Sequence, residues 1–244
     1  MDMLGNFVQG LVDLVYPKIC LACKKNLKAK ANIDDIVCLE CWTNIKRNVP
    51  PFCHFCGRHL ERGNLKQGIC PGCIKNNLQF DRAFSPCVYE GIIKELIHEF
   101  KYNNKDHLGK PLSKPMIEFV REYDLPIDYM DFIIPVPLHK TKMREREFNQ
   151  AEILSNYLAK EFDKNILSNT LIRYRETLPQ AELSENERLS NVKGSFCVRE
   201  DGFLKGKNLL LVDDVLTTGA TASEAAFVLK KAGANIVFVL TIAN

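Results

Sequence analysis

The sequence predicts a two-part chain, in which a small cysteine-rich module precedes an α/β domain with a mostly parallel sheet flanked by helices. Two observations support this prediction. From residue 81 onward, short apolar runs alternate with segments of helical periodicity, an order typical of parallel sheets. Before residue 81, eight of the ten cysteines of this 244-residue chain stand in Cys-x-x-Cys pairs. We therefore predict domains at residues 1–80 and 81–244.

The first segment, residues 1–16, carries apolar residues at helical spacing and lacks a basic start. This pattern predicts an amphipathic helix that packs on its own domain, and it does not fit a secretory signal. No apolar run approaches the roughly 18 residues that cross a bilayer. We therefore expect a cytoplasmic protein with no membrane span.

The four cysteine pairs form two tandem sets, each with two pairs separated by a loop of ribbon length. Disulfides require an oxidising compartment, so a chain without an export signal favours zinc. Four thiolates close the coordination shell of Zn²⁺, which indicates two structural sites whose metal supplies much of the folding energy. The sequential assignment places one zinc on Cys20, Cys23, Cys38 and Cys41, and a second on Cys53, Cys56, Cys70 and Cys73. The spacing also allows a cross-braced assignment.

The formal charge of +3 is divided unevenly along the chain. Residues 1–80 hold 11 Lys and Arg against 6 Asp and Glu, a formal +5 typical of a nucleic-acid footprint. Two zinc ions with eight thiolates would reduce this charge to about +1. A solvated lysine-rich loop therefore explains the basic residues at least as well as a DNA contact does.

In the second part, periodicity predicts the elements in order. Strands are predicted at 83–89, 132–138, 171–173, 208–214 and 235–243, and helices at 91–102, 112–123, 149–162 and 218–232. The two remaining cysteines, Cys87 and Cys197, stand in strand-like runs, and we predict that both are buried.

The run at 209–222 is the most informative segment of the chain. An apolar strand stops at Asp213 and Asp214, and a Thr-Thr-Gly-Ala-Thr loop then leads into a helix. Strand ends of this kind form ligand crevices, and the N–H groups of a helix start suit a phosphate. The two carboxylates can accept hydrogen bonds from vicinal sugar hydroxyls. The predicted phosphate-binding residues are Thr217, Thr218, Gly219, Ala220 and Thr221. A capped helix without a ligand, or an acidic metal or phospho-acceptor pocket, would explain the loop less well.

Two further segments supply candidate residues. Basic residues after the strand at 132–138 could clamp a polyphosphate, although a solvated loop would look the same. These candidates are Pro137, Leu138, His139, Lys140, Arg144 and Arg146. The long polar stretch at 174–192 contains Gln180 and Arg188. Its length and polarity predict either an active-site lid or a mobile loop without a function.

The segment at 209–222 resembles the phosphoribosyl-diphosphate signature of type I phosphoribosyltransferases. In the order of its motifs, nearly the whole chain resembles the ComF family of competence proteins, of the ComFC and GntX type. The matching motifs are Pro135 to His139, Arg146 to Gln150, Asp213 to Thr221, and the spaced set Thr177, Gln180, Leu183, Ser184, Arg188, Asn191 and Val192. One departure is Glu147, which replaces the usual glycine and would restrict the backbone if positive φ is needed there.

The resemblance implies a type I phosphoribosyltransferase fold, a role in natural transformation and the handling of incoming single-stranded DNA. It implies that phosphoribosyl diphosphate binds with Mg²⁺. Asp213 and Asp214 would then hold the ribose hydroxyls. The 217–221 loop would hold the 5-phosphate. The 137–140 segment, together with Arg144 or Arg146, would hold the diphosphate. Gln180 and Arg188 would close over the site.

Whether this chain catalyses a reaction stays open at the level of sequence. The first hypothesis is a DNA-uptake protein whose phosphoribosyltransferase domain either binds a ligand or is active. The second is an active phosphoribosyltransferase of nucleotide metabolism or salvage without a DNA role. The third is a protein scaffold. A DNA-uptake helicase is the further partner considered for the zinc module. A nitrogen nucleophile or water would be the acceptor in an active enzyme.

Overall fold

This computed structural model describes residues 18–27, 31–61, 68–176, 190–199 and 202–244. Its strands are β1 (Asn32–Ile33), β2 (Val37–Cys38), β3 (Arg82–Phe84), β4 (Phe132–Pro135), β5 (Asn165–Ile166), β6 (Leu171–Arg173), β7 (Phe196–Val198), β8 (Asn208–Val215) and β9 (Ile236–Ala243). Its helices are α1 (Leu39–Thr43), α2 (Pro71–Lys75), α3 (Gly91–Tyr102), α4 (Gly109–Glu122), α5 (Lys140–Arg146), α6 (Gln150–Phe162) and α7 (Ala220–Lys231). The predicted helix at 1–16 and the predicted lid residues Gln180 and Arg188 lie outside the described residues.

Five strands of the second part form one parallel sheet in the order β3-β9-β8-β4-β5. The apolar run of β8 is buried from Leu209 to Val212, because helices or strands cover both faces of the sheet. Leu210 and Val212 belong to the first core cluster, whereas Leu209 and Leu211 belong to the second. The alternation of side chains along β8 therefore divides the core into two layers.

The helices segregate between these layers. The first cluster contains apolar residues of α3, α4 and α6, and the second contains those of α7 together with β6 and β7. The predicted α/β fold, with a parallel sheet between helices and an amino-terminal zinc-ribbon module, is confirmed. Within the part of the chain that the structure describes, no helix is long and apolar enough to cross a membrane.

Each cysteine unit packs on a different layer of the sheet. The first ribbon (residues 20–41) contributes Cys20 and Val37 to the first cluster. The second ribbon (residues 53–73) contributes Cys53 and Leu60 to the second cluster. Since these side chains are almost fully buried, both ribbons are part of the same hydrophobic core as the sheet.

Several predicted bounds shift in the structure. The strand predicted at 132–138 ends at Pro135, since prolines cannot donate to a sheet ladder. The basic residues that follow form α5 instead of a loop, and the side chain of His139 caps this helix. The strand predicted at 83–89 is reduced to β3. In contrast, α3 has the bounds that its apolar residues at helical spacing predicted.

The two isolated cysteines differ in exposure. Cys87 is fully buried, as predicted, and burial raises the pKa of its thiol to about 12. Cys197 is exposed, so its predicted burial was wrong. It lies in the two-stranded antiparallel pair of β6 and β7, where Phe196 points into the core and its neighbour therefore points outward.

Candidate functional site

The acidic pair lies at the carboxyl end of β8, on the edge of the sheet where its neighbour β4 also ends. The backbone N–H of Val136, directly after β4, donates to the carbonyl of Val212 at 2.9 Å. The 137–140 segment and the 217–221 loop therefore leave the sheet at the same edge. The position is the usual ligand crevice of parallel sheets.

Asp214 forms an ion pair with Lys101, which stands in the last turn of α3. The distance between Nζ of Lys101 and Oδ1 of Asp214 is 2.8 Å, and both side chains are largely buried. Burial opposes the charge of Lys101, but the carboxylates of Asp214 and Asp213 outweigh burial and raise its pKa. Lys101 is therefore a fixed positive charge beside the acidic pair.

Asp213, the other acid of the pair, has a raised pKa. Burial and the adjacent carboxylate of Asp214 raise its pKa to about 7, against the opposing charges of Lys101 and Arg173. The backbone N–H of Asp214 also donates to Oδ1 of Asp213 at 2.9 Å. This carboxyl group consequently changes protonation close to neutral pH.

Two arginines complete the charged cluster. Arg173, the last residue of β6, lies over the ring of Phe196 at 5.3 Å, and burial lowers its pKa although Asp213 counteracts the effect. Arg146, the last residue of α5, lies over the ring of Tyr102 at 5.0 Å. Together with Lys101, three cations surround two carboxylates, and this excess of positive charge favours an anionic ligand.

Arg146 has hydrogen-bonding capacity left for such a ligand. Its Nη1 donates to Oε1 of Gln150 at 3.1 Å. Its Nε is buried and has no hydrogen-bond partner among the described residues. A buried donor without an acceptor is costly, so an anion that reached it would be stabilised.

Gly219, in the middle of the 217–221 loop, directly precedes α7. Gly219 has φ +79, and a side chain at this position would approach Leu78 to 3.3 Å. The N–H of Ala220 donates to Oγ1 of Thr218 at 3.4 Å, and the first turn of α7 follows. The N-terminal N–H groups of a helix have no acceptors within that helix and attract anions. The predicted phosphate loop thus has a suitable backbone.

The second ribbon contacts this loop directly. The Nη2 of Arg58 donates to the carbonyl oxygen of Thr217 at 3.0 Å. The carbonyl of Arg58 in turn accepts from the N–H of the zinc-ligand candidate Cys53 at 2.7 Å. After the ribbon, the N–H of Gln79 donates to Oγ of Ser223 in α7 at 3.0 Å. The ribbon therefore contacts the loop, and the segment that follows the ribbon contacts the helix behind it.

The basic candidates after β4 are not all brought to the cluster. His139 is buried, and its Nδ1 accepts from the N–H of Thr141 at 3.4 Å, which makes it a helix cap. Lys140 and Arg144 are exposed, and Pro137 and Leu138 are partly buried along the edge of the sheet. Arg146 interacts electrostatically with both Lys101 and Arg173.

The motif from Arg146 to Gln150 holds three elements together. Glu147 has φ +65, so this position does require the left-handed conformation that favours glycine. The Nδ2 of Asn149 donates to the carbonyl of Val136 at 3.1 Å, and Nε2 of Gln150 donates to the carbonyl of Phe100 at 3.1 Å. These bonds fix α3 and the end of β4 beside the acidic pair.

Lys101, Arg173 and Gln150 are candidate site residues that the sequence reasoning did not single out for function. The available signals were the positions of two cations in the sequence. Lys101 stands in the last turn of a predicted helix, and Arg173 stands at the end of a predicted strand. These signals are weak, because they do not tell which strand end the helix approaches. Gln180 and Arg188 lie outside the described residues.

The cysteines form two clusters that match the sequential assignment. In each cluster, four sulfur atoms lie within 4.8 Å of one another. The Sγ atoms of Cys23 and Cys38 are 3.8 Å apart, and those of Cys56 and Cys70 are 3.6 Å apart. Four Zn–S bonds of about 2.3 Å place tetrahedral sulfurs roughly 3.8 Å apart. The residues thus fit two structural Zn²⁺ sites, and cross-bracing is ruled out.

Comparison with protein families and curated proteins gives concordant matches. The family model described as "Double zinc ribbon domain" matches residues 11–74. "Competence protein F" of Haemophilus influenzae is 31% identical over 218 residues, covering 88% of this chain and 91% of the relative. "DNA utilization protein YhgH" of Escherichia coli K12 is 28% identical, covering 91% and 94%. "Competence protein ComFC" of Bacillus subtilis is 26% identical, covering 90% and 91%.

Solved structures align with only part of this chain. A glutamine phosphoribosylpyrophosphate amidotransferase from B. subtilis has a TM-score of 0.34 and 20% identity, covering 57% of this chain and 26% of its own. An adenine phosphoribosyltransferase from Leishmania tarentolae has a TM-score of 0.34 and 14% identity, covering 59% of this chain and 74% of its own. Scores of this size carry no argument about ligands or activity.

Proposed function

Because this chain belongs to the ComF family of competence proteins, we propose that it acts in natural transformation and handles incoming single-stranded DNA, with a pocket for phosphoribosyl diphosphate. One observation supports this choice of ligand. Asp213 and Asp214 stand at a strand end, beside a loop that leads into a helix and close to three cations. A diol acceptor next to an anion site suits a ribose that carries phosphates. The names of the relatives, "competence" and "DNA utilization", support the DNA role.

The residues divide between the parts of this ligand. Asp213 and Asp214 accept hydrogen bonds from the 2- and 3-hydroxyls of the ribose, since ionised carboxylates are pure acceptors. The 217–221 loop takes the 5-phosphate at the start of α7. Arg146 and the 137–140 segment take the diphosphate, with Arg173 and Lys101 adding positive charge. Gln180 and Arg188 are proposed to close over the bound ligand.

The carboxylates also suit Mg²⁺, which prefers oxygen ligands and keeps phosphate oxygens and waters in its shell. Asp213 and Asp214 would hold it next to the diphosphate, where it would neutralise phosphate charge. Burial of Lys101 against Asp214 keeps the acidic pair compact before the ligand arrives. The residues therefore hold and orient the ligand without a covalent bond to it.

Titration calorimetry with phosphoribosyl diphosphate and Mg²⁺ tests the pocket. The wild-type protein should bind, and the double variant Asp213→Asn with Asp214→Asn should lose binding while retaining both zinc ions. A matched control is Asp124→Asn with Asp163→Asn. Both control residues are exposed and have positive φ, which asparagine tolerates. Equal affinity in the wild type and the acidic-pair variant would refute the site.

A DNA-binding titration at several salt concentrations tests the DNA role. Affinity for single-stranded DNA should fall as salt rises, because phosphate contacts release counterions. Phosphorus NMR on the same protein separates the alternatives. Release of diphosphate when a nitrogen base is added and receives the phosphoribosyl group, without DNA affinity, would instead indicate an active phosphoribosyltransferase of nucleotide salvage. In that reaction the bond from the anomeric carbon to diphosphate breaks, and a nitrogen–carbon bond forms.

A further inference from the structure

A second cleft, lined by aromatic residues, lies on the first layer of the core away from the acidic pair. Its volume is about 240 Å³. It opens between the end of α4, the edge strand β3 with its neighbour β9, and the residue that precedes the second ribbon. The lining residues are Phe52, Arg82, Phe84, Phe119, Tyr123, Asp124, Leu125, Pro126 and Phe238.

The rings of this cleft come from four separate parts of the chain. Phe52 meets Tyr123 edge-on at 5.2 Å, and Phe119 lies 4.6 Å from Tyr123. On the sheet side, Phe84 meets Phe238 edge-on at 5.6 Å. Phe52, Tyr123 and Phe238 are each partly exposed. Folding thus leaves three aromatic surfaces facing one open space, where a planar ring could stack on them.

The cleft also contains polar groups that an apolar occupant would not use. The guanidinium of Arg82 lies over the Phe84 ring at 5.1 Å, and its Nε is buried without a hydrogen-bond partner among the described residues. Asp124 lines the same cleft and is exposed. Together they offer a donor and an acceptor beside the aromatic walls. A leucine side chain or a lipid tail would leave both unused.

From this combination we propose that the cleft binds a nucleobase of single-stranded DNA. A flat ring with acceptor atoms and N–H donors on its edge can stack on the aromatic walls and hydrogen-bond with Arg82 and Asp124. A base in a duplex is already stacked and paired, so the occupant comes from a single strand. The negative charge of Asp124 disfavours entry of the phosphate itself, which stays at the rim. This inference rests on the proposed DNA role and adds the position at which a base is held.

The test uses the full-length, zinc-loaded protein and short oligonucleotides that carry 2-aminopurine, whose fluorescence is quenched by stacking. Binding should quench the probe in the wild type. Phe52→Leu keeps an apolar side chain but removes the aromatic face, so it should weaken binding about tenfold and abolish the quenching. Arg82→Gln should weaken binding by several fold. Phe227→Leu, which changes an exposed aromatic residue of α7, should have no effect.

An abasic oligonucleotide completes the experiment. The wild type should bind it about tenfold more weakly than the normal strand, whereas Phe52→Leu should bind both strands equally. If Phe52→Leu lost affinity equally for the normal and the abasic oligonucleotide, the substitution would act on the structure, and the base site would be overturned. If the wild type binds DNA but neither variant changes affinity or quenching, the base site is wrong and the DNA role stands. If the wild type binds no single-stranded DNA, the DNA role itself fails, and the base site with it.

Discussion

Asp213 combines a position in the proposed ligand site with a cost in stability. Its carboxyl group is held next to Asp214, and burial with this neighbour raises its pKa to about 7. The ordinary value in an unfolded chain is about 3.9. The folded protein therefore binds a proton at this site more tightly than the unfolded chain does. The stability of the wild type should decrease as pH rises from about 4 to about 7.

Replacing this acid should consequently stabilise the protein at high pH. We expect Asp213→Asn to raise the free energy of unfolding on the order of 3 kcal/mol at pH 8, and to have little effect near pH 4. Urea unfolding at both pH values measures the difference. Asp131→Asn is the opposite control, because an N–H of Asn208 and the Lys207 ammonium lower the pKa of Asp131. That variant should lose stability at pH 8 and lose less as pH falls. A gain for Asp213→Asn that did not depend on pH would contradict the raised pKa.

Glu147 is a second residue whose backbone carries a cost. It adopts φ +65 at the end of α5, and its side chain accepts a hydrogen bond from Asn104 at 2.8 Å on the surface. Glycine has no side-chain penalty in this conformation. Glu147→Gly should therefore raise the free energy of unfolding by about 0.5 kcal/mol.

Glu145→Gly provides the matched control for that variant, since it lies two residues earlier inside the same helix and is exposed. Glycine there should reduce stability by about 1 kcal/mol. Thermal unfolding of both variants gives the comparison. If both glycines destabilised the protein equally, the left-handed conformation at Glu147 would not be a source of strain.

At the scale of elements, the second ribbon contacts the 217–221 loop through one side chain. Arg58 donates to the carbonyl of Thr217, and this contact is exposed. Arg58→Ala should speed hydrogen exchange of the loop amides at 219–221 and weaken phosphoribosyl-diphosphate binding about fivefold, as expected for one hydrogen bond. Arg121→Ala on α4 also removes an exposed arginine with a partner, Glu161, and should change neither measurement. Unchanged loop exchange in Arg58→Ala would show that the ribbon does not hold the loop.

Elements with a strong local pattern could be predicted from the sequence, and elements defined by distant contacts could not. The bounds of α3 follow from apolar residues at helical spacing, and the end of β8 follows from the switch to two carboxylates. In contrast, α5 could not be predicted, because the preceding prolines suggested an irregular segment. The helix forms there with the side chain of His139 as its cap. The pair of Lys101 with Asp214 joins residues more than a hundred positions apart, so no local pattern could indicate it.

For the whole molecule, the burial of both ribbons in the core predicts that zinc stabilises the sheet as well as the cysteine module. Cys53 and Cys56 are buried in the second core cluster together with Leu211 of β8. Cys53→Ser with Cys56→Ser should leave one zinc per chain by elemental analysis and lower the melting temperature of the entire protein. Cys197→Ser alters an exposed cysteine and should retain two zinc ions and the original melting temperature. A sheet that melted unchanged in the double variant would show that the ribbons fold independently.

The position of the ribbons in both core layers also sets a problem for biosynthesis. The ribbons leave the ribosome first, but β8 and β9, against which their layers pack, are made last. At ordinary translation rates the interval is on the order of ten seconds. During this time each ribbon exposes apolar surface that has no partner yet. Early metal capture would give the nascent chain a compact ribbon module. Expression under zinc starvation should therefore yield aggregated rather than merely metal-free protein.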